Sequence, residues 1–326
     1  MQPGSTLSGA VATALRRSQS TDVDAHAAKL SGWQQRYDQL GAGAFQGQLC
    51  ELWFDEVQVF HERTSHAVRQ TCSIREDAVW CGITMAPDGS RIEGRTVGEG
   101  GVMVSGSHGE FELLTPDHHD IFGIVASRTA LAAVAQQLGQ RLNLAALEQP
   151  GWLSCAPPAH AQLRRGLALL LGEAGTGQSC HDHAQARRYA QQAVLGSLLS
   201  VLGAPPADGP EGMSFERRRR LVRRACDWVL SMSDTPTVPE LCEHLHVSRR
   251  TLQYAFETVV GLSPVVYLRC LRLNAVRRDL LGGTASTVQA AAARRGFWSL
   301  SQFASDYRRQ FDERPSQTLA RCPTPH

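Results

Sequence analysis

Thr237-Val-Pro-Glu-Leu-Cys-Glu-His-Leu-His-Val-Ser-Arg-Arg-Thr-Leu-Gln-Tyr-Ala-Phe-Glu-Thr-Val-Val260 decides the fold of the C-terminal third. Thr237 followed three residues later by Glu240 is a capping-box signature, so a helix begins here. Val238, Leu241, Cys242 and Leu245 give that helix one apolar side. His246-Val247 makes a tight turn, and Ser248 caps a second helix over Arg249–Val260 with Leu252, Ala255, Phe256 and Val259 inward. Two short helices joined by three or four residues form a helix-turn-helix. The second helix of such a pair enters the major groove of DNA with its N-terminal residues toward base edges. Arg249, Arg250, Gln253 and Tyr254 lie on its polar side. Arginine pairs bidentately with guanine, and glutamine with adenine.

The same grammar returns about fifty residues on. Thr287-Val-Gln-Ala-Ala-Ala-Ala-Arg-Arg295 reads as a first helix, Gly296 as the turn, and Ser299–Gln310 as a second helix with Leu300, Phe303 and Tyr307 inward. Its polar side carries Ser299, Ser301, Gln302, Ser305, Arg308 and Arg309. Pro264–Leu281 between the two units reads as one helix with Leu268, Leu271, Leu273 and Val276 inward. Its length is roughly 27 Å at the helical rise, close to the roughly 34 Å between successive major grooves.

Charge supports a polyanion partner. Residues 215–326 hold 18 Arg, no Lys and 10 Asp+Glu, a net +8, whereas residues 1–214 sum to −6. A basic segment on an acidic remainder points to nucleic acid. The chain has 326 residues, enough for two domains. Gly203–Ser214 is rich in Pro and Gly and reads as a linker. The domain reading is therefore a disordered start over 1–21, a sensor domain over 22–202, a linker over 203–214 and a DNA-binding domain over 215–326.

The N-terminal part reads as short strands followed by helices. Asp22–Leu40 carries a helical pattern. Apolar runs at Leu49–Phe54, Val57–Phe60, Ala67–Ile74, Val79–Met85, Gly101–Val104, Phe111–Leu114 and Ile121–Ala126 read as strands of a small barrel or sandwich. Arg128–Leu142, Ala159–Glu173 and His183–Leu202 read as helices. The fold class is α+β: a small β-barrel or cupin-like sensor with appended helices, then an all-α double helix-turn-helix domain. Helices appended to a barrel commonly form subunit contacts, so a homodimer is an expectation.

Chemistry in this half is sparse. Asp117-His-His-Asp120 and Cys180-His-Asp-His183 hold ligand-type side chains, but adjacent strand residues face opposite sides and a metal needs three or four converging donors. Turn and cap roles explain them better, and no metal or catalytic residue is assigned. No nucleotide-binding or hydrolase motif is present, and the chain reads as a non-enzyme. Trp53, Trp80, Phe111 and Glu112 are the effector-binding candidates, aromatic walls with a carboxylate for a cationic group. Phe54 and Phe122 share the predicted strands. Nine scattered cysteines without C-x-x-C pairs fit a reduced, cytoplasmic protein. Neither a secretory signal nor a membrane span is read.

Leu241–Phe256, Gly261-Leu-Ser-Pro264, Arg272-Leu-Asn-Ala-Val-Arg-Arg278 and Gly296-Phe-Trp-Ser-Leu-Ser-Gln-Phe303 through Pro315 resemble the DNA-binding domain of the AraC/XylS family of bacterial transcription regulators. The resemblance implies a seven-helix domain on promoter DNA and activation through contact with RNA polymerase. By motif position it implies reading residues Arg249, Arg250, Gln253 and Tyr254 in the first unit, and Leu300, Ser301, Ala304 and Ser305 in the second. The chain departs from the family at Cys242 (usually Ala), and at His246 and Asp312 (both usually Gly). The second surface is small and apolar, a type that holds backbone and reads shape.

Trp33–Leu40, Gln58–Glu62, Arg69–Cys72, Phe111–Asp117 and Asp120–Val125 are similar to the sensor half of the family's ethanolamine-operon regulators. That likeness implies an activator of ethanolamine catabolism with ethanolamine and adenosylcobalamin as effectors, neither of which is read from the residues themselves. The alternatives are a regulator of another amine or small metabolite, a metal-binding cupin-type enzyme fused to a DNA anchor, and a nucleoid-type or RNA-binding protein without a sensor.

Overall fold

The computed structural model of the chain describes residues 15–84, 89–173, 184–203, 213–232 and 234–322. Twelve strands are described: β1 (Arg16–Ser20), β2 (Gln34–Gln39), β3 (Gly47–Trp53), β4 (Val57–Thr64), β5 (Val68–Ser73), β6 (Ala78–Thr84), β7 (Arg91–Ile92), β8 (Arg95–Thr96), β9 (Gly101–Gly106), β10 (Phe111–Thr115), β11 (His119–Ser127) and β12 (Gly151–Ser154). They form a seven-stranded sheet, β1-β3-β4-β11-β6-β9-β12, and a five-stranded sheet, β2-β5-β10-β7-β8. Helices α1 (Val23–Ala27), α2 (Arg128–Gln137), α3 (Pro157–Glu173) and α4 (Ala184–Leu202) complete the N-terminal module.

The sheets stack through Leu49, Phe60, Trp80, Met103 and Ile121 of the larger against Cys72, Ile92, Phe111 and Leu113 of the smaller. On its other face the larger sheet offers Leu52, Val59, Cys81, Val104 and Ile124 to Leu131, Leu163, Leu167, Leu195 and Leu198 of α2–α4. Burial on both faces explains why β6, β9 and β11 read as nearly unbroken apolar runs instead of alternating ones. Gly123 sits opposite Phe60 in the β4–β11 register, and a Cβ there would meet the Phe60 ring at 2.0 Å.

The barrel expectation is corrected: no pairing among the described strands joins the two sheets, so they form a layered sandwich. Their outer faces are covered instead, the larger by α2–α4 and the smaller by the C-terminal helices, and the β2 edge lies against a helix of the C-terminal unit. Two expectations at the start of the chain also fail. Arg16–Ser20, placed in a disordered tail, is an edge strand paired with β3. Asp22–Leu40 is a short helix and a strand. Asp22 caps α1, Gly32 at φ 74° turns the chain, and Tyr37 and Gln39 point inward at period two. The expected linker falls mainly on 204–212, and Cys180–His183 on 174–183, both outside the described residues, as are residues 1–14.

The C-terminal unit has seven helices: α5 (Met213–Ser231), α6 (Val238–Leu245), α7 (Arg249–Val259), α8 (Pro264–Leu281), α9 (Val288–Arg294), α10 (Leu300–Phe311) and α11 (Pro315–Leu319). Helix α8 serves two cores. Tyr267, Leu268 and Leu271 pack with Leu241, Leu252 and Phe256, while Leu273, Val276 and Leu280 pack with Ala291, Phe303 and Tyr307.

Candidate nucleic-acid interface

The local chemistry of the first unit follows its sequence. The Thr237 hydroxyl accepts from the Glu240 amide, and the Glu240 carboxylate accepts from the Thr237 amide at 2.7 Å. The amide and the hydroxyl of Thr237, both donating to that carboxylate, hold it below its ordinary value. His246 closes α6 in the left-handed region at φ 54°, which explains why glycine is common at this position. Ser248 caps α7 through the Thr251 amide. In the second unit Ser299 caps α10 and Asp312 ends it at φ 53°.

The buried faces of α7 and α10 leave the opposite faces in solvent. Arg249, Arg250 and Tyr254 are exposed, and Gln253 is half-buried with its amide donating to Glu257 at 2.6 Å. Ser299, Leu300, Ser301, Gln302, Ala304, Ser305, Arg308 and Arg309 are exposed on the second unit. Leu300, expected inward, is outward, because the α10 core is already filled by Phe303, Tyr307 and Phe311.

Two features of this surface were not read from the sequence. Arg218 of α5 stacks its guanidinium 4.7 Å from the Tyr254 ring centroid, so the Arg217–Arg220 run flanks the first recognition helix. Trp298 is 71% exposed at the entry to α10. The arginine run was visible as charge, but its neighbour depends on the packing of α5 on α7.

Helix α8 fixes the second unit. Arg272 donates to the Arg295 carbonyl at 2.7 Å and lies over Phe297. Arg295 in turn grips Asp279 through two bonds of 2.8 and 2.9 Å. Burial pushes the Asp279 carboxyl up, but Arg295 outweighs it and holds it below its ordinary value. Arg269 pairs with the buried Asp306, which also accepts from Gln302 and Arg309 of α10.

The opposite face of α8 is docked on the N-terminal module. Asn274 bonds both the amide and the carbonyl of Gln39 at 2.9 Å, as a paired strand would, and so satisfies the end of the β2 edge. Gln310 and Gln39 exchange side-chain-to-carbonyl bonds of 2.9 and 3.0 Å. Arg277 is buried against Asp22, Asp24 and Glu313, and Arg278, half-buried, pairs with Asp38. Burial pushes the Asp22 carboxyl up, yet the hydrogen bond and charge of Arg277 hold it below its ordinary value.

The effector candidates are not brought together. Trp80 and Phe111 stack in the sandwich core at 5.1 Å. Trp53 lies apart on β3 with its ring nitrogen donating to Glu51, and Glu112 faces away from the core toward the C-terminal unit. Alternation along β10 separates Phe111 from Glu112. The core beside Trp80 and Phe111 is filled by Trp33, which packs edge-on against both. The Asp117–Asp120 cluster is also dispersed. Asp117 accepts from the Ala67 amide, whereas Asp120 pairs with His61 and Arg63. Among the described residues no three His, Cys, Asp or Glu side chains converge to hold a metal. No single described helix is long and apolar enough to cross a membrane.

Residues 241–321 match the family model described as a helix-turn-helix domain. The chain is 40% identical over 87 residues to the regulatory protein HrpB of Ralstonia nicotianae, covering 26% of this chain and 18% of that protein. It is 34% identical over 134 residues to the XylDLEGF operon transcriptional activator of Pseudomonas putida, 40% of each chain. A solved structure of a probable AraC family transcriptional regulator from Rhodopseudomonas palustris is 34% identical, covering 32% of this chain and 99% of that one, with a TM-score of 0.29. The chain thus spans less than half the length of these two curated relatives. The C-terminal unit is a helix-turn-helix DNA-binding domain. More particularly, the matched segment supports a DNA-binding transcription regulator of the AraC type.

Proposed function

We propose that this protein is a ligand-responsive, promoter-specific transcription activator, and that its operon serves ethanolamine catabolism. One observation carries the DNA-binding part: two capped recognition helices expose polar and cationic faces while α8 belongs to both of their cores. A shared rigid connector suits two contacts on one duplex. Arg249, Arg250 and Gln253 are the base-reading side chains of α7. Arg308 and Arg309, at the far end of α10, hold phosphates, and Ser299, Ser301, Gln302 and Ser305 line the groove beside them. RNA polymerase is the protein partner, reached from the DNA-bound state. The ethanolamine assignment rests on the sensor-half sequence resemblance, as does adenosylcobalamin as co-effector. Self-association uses the helical layer, where Leu169 and Tyr189 are exposed on α3 and α4.

The test is a band shift with the promoter fragment upstream of the gene and a scrambled fragment, at rising salt. A reader of sequence retains a large ratio between the two, whereas a phosphate-dominated binder loses both together. Equal affinity for the two fragments would overturn the reading.

A further inference from the structure

The arginines of the C-terminal unit divide by partner. Those facing the N-terminal module meet carboxylates: Arg219 pairs with Glu93 and Glu216, Arg277 with Asp22 and Asp24, and Arg278 with Asp38. Arg249, Arg250 and Arg308 on the reading faces make no ion pair among the described residues. Arg217, Arg220 and Arg224 of α5 share that condition, and all three are exposed. Arg220 donates to the Glu216 carbonyl at 3.3 Å, which leaves its charge unmatched. Spacings of three and four residues put the three on one face of the helix. Like charges at those spacings repel, and solubility alone is better served by mixed signs. The other side of α5 is apolar, with Leu221, Val222, Ala225 and Val229 buried.

Two contacts fix where this stripe lies. Arg218 of the first turns stacks 4.7 Å from the Tyr254 ring centroid, on the reading face of α7. Toward the other end of α5, Val229 walls a cleft together with Phe297 at the entry to the second unit. The helix between Arg218 and Val229 spans roughly 16 Å. The N-terminal end of α5 thus stands at the lip of the α7 groove, on the side away from α10. The stripe continues the DNA-facing surface outside both recognition helices.

We propose that α5 is a third DNA-contacting element, and that Arg217, Arg220 and Arg224 hold backbone phosphates of the duplex flanking the α7 half-site. The proposal rests on the promoter-binding reading and extends its footprint beyond the two major grooves. Guanidinium forks suit phosphate oxygens. The stripe covers roughly 10 Å along the helix, about three phosphate intervals at roughly 3.4 Å of axial rise along one strand. Phosphate contacts fix register without reading sequence, so α5 adds affinity and leaves discrimination to α7.

The test compares the full chain with a triple variant, Arg217→Gln, Arg220→Gln and Arg224→Gln, on promoter DNA between about 50 and 200 mM salt. Each phosphate contact contributes about 0.9 to the log–log salt slope. The variant is expected to show a slope shallower by about 2.7, so the natural chain loses about 40-fold more affinity over that range. The ratio of promoter to scrambled affinity is expected to be the same in both. Trimming the duplex on the α7 flank abolishes the difference between the two proteins, and trimming on the α10 flank leaves it. Lysine at all three positions keeps the charge and restores most of the slope. If the triple variant fails to fold, Arg217→Gln alone decides, with a slope shallower by about 0.9. An unchanged slope, a difference that survives trimming of the α7 flank, or an altered preference at a single base pair would overturn the inference. Unchanged DNA binding with lost transcription in a reconstituted assay also overturns it and makes the stripe a polymerase contact. Equal affinity of the natural chain for promoter and scrambled fragments overturns the regulator reading and leaves the salt slope to judge α5 on its own.

Discussion

The two helix-turn-helix units are built on one grammar but differ on both sides. The first has a reading face of long, hydrogen-bonding side chains, Arg249, Arg250 and Gln253, with Tyr254 braced by Arg218. Behind it the tether to the N-terminal module is lighter: Arg91 donates to the Thr258 carbonyl at 2.6 Å, Arg219 meets Glu93, Arg95 meets Glu216 at 3.4 Å and lies over Phe215, Leu114 packs with the helices, and a cavity lies between. The second presents Ser301, Ala304 and Ser305, side chains too short for bidentate base contacts, beside Gln302, whose amide donates to Asp306 at 3.1 Å. Behind it the tether is dense, with Asn274, Gln310, Arg277 and Arg278 all engaged by residues 22–43. The contrast assigns base discrimination to the first unit and orientation to the second.

The largest expected effect breaks the dense tether. Arg277→Ala leaves Asp22 and Asp24 facing a buried gap, and removing one partner of a buried ion pair costs about 3–5 kcal/mol. Chemical denaturation of the full chain measures it. The Asp22 share of that deficit depends on pH. Its folded carboxyl lies below the unfolded value near 3.9, so its stabilisation is present above that value and is lost as pH falls through the folded one. The deficit therefore shrinks in acid. A deficit under about 1 kcal/mol at neutral pH would remove the claimed asymmetry of the tethers.

Next is the reading face of the first unit. Arg250→Ala is expected to weaken promoter binding by about 1–3 kcal/mol and to relax preference at one base pair, read by a band shift across single-base promoter variants. A loss that is uniform over all variants would make Arg250 a phosphate contact and erase the contrast from the other side. Arg308→Ala is the reference for such uniform behaviour. Binding to promoter and scrambled DNA should fall together by about 1 kcal/mol at low salt, and the salt slope should drop by about one.

The C-terminal unit was legible in the sequence because its signals are local. Caps at Thr237, Ser248 and Ser299 lie within three residues of the amides they satisfy, and apolar periodicity fixed which faces of α7 and α10 are inward, Leu300 excepted. The N-terminal module was half legible. Its seven apolar runs are all strands, but five strands were missed: β1 and β2 are polar edge strands whose pairing partners lie about 30 residues away, and β7, β8 and β12 are two to four residues long. The docking of the two units could not be read at all. Asn274 and Arg277 look like the polar side of a solvated helix until β2 and α1 are placed against them. The cavity has the same origin: Glu112 was singled out for its charge, but its facing partner, Tyr267, stands 155 positions further along the chain.

The smallest expected effect is the most discriminating. Ser301→Ala removes one exposed hydroxyl from α10, which holds the 3.3 Å contact with Ser299 but no tertiary partner. If α10 follows backbone and shape, the change costs about 0.5 kcal/mol or less on promoter DNA and leaves base preferences unchanged. If α10 reads a base edge through Ser301, a mismatch at that base pair loses its usual penalty of about 1–3 kcal/mol in the variant. The two outcomes differ in which promoter positions respond, not only in size. Single-base variants across the half-site facing α10 separate them, and a flattened preference at one position would make the second unit a base reader equal to the first.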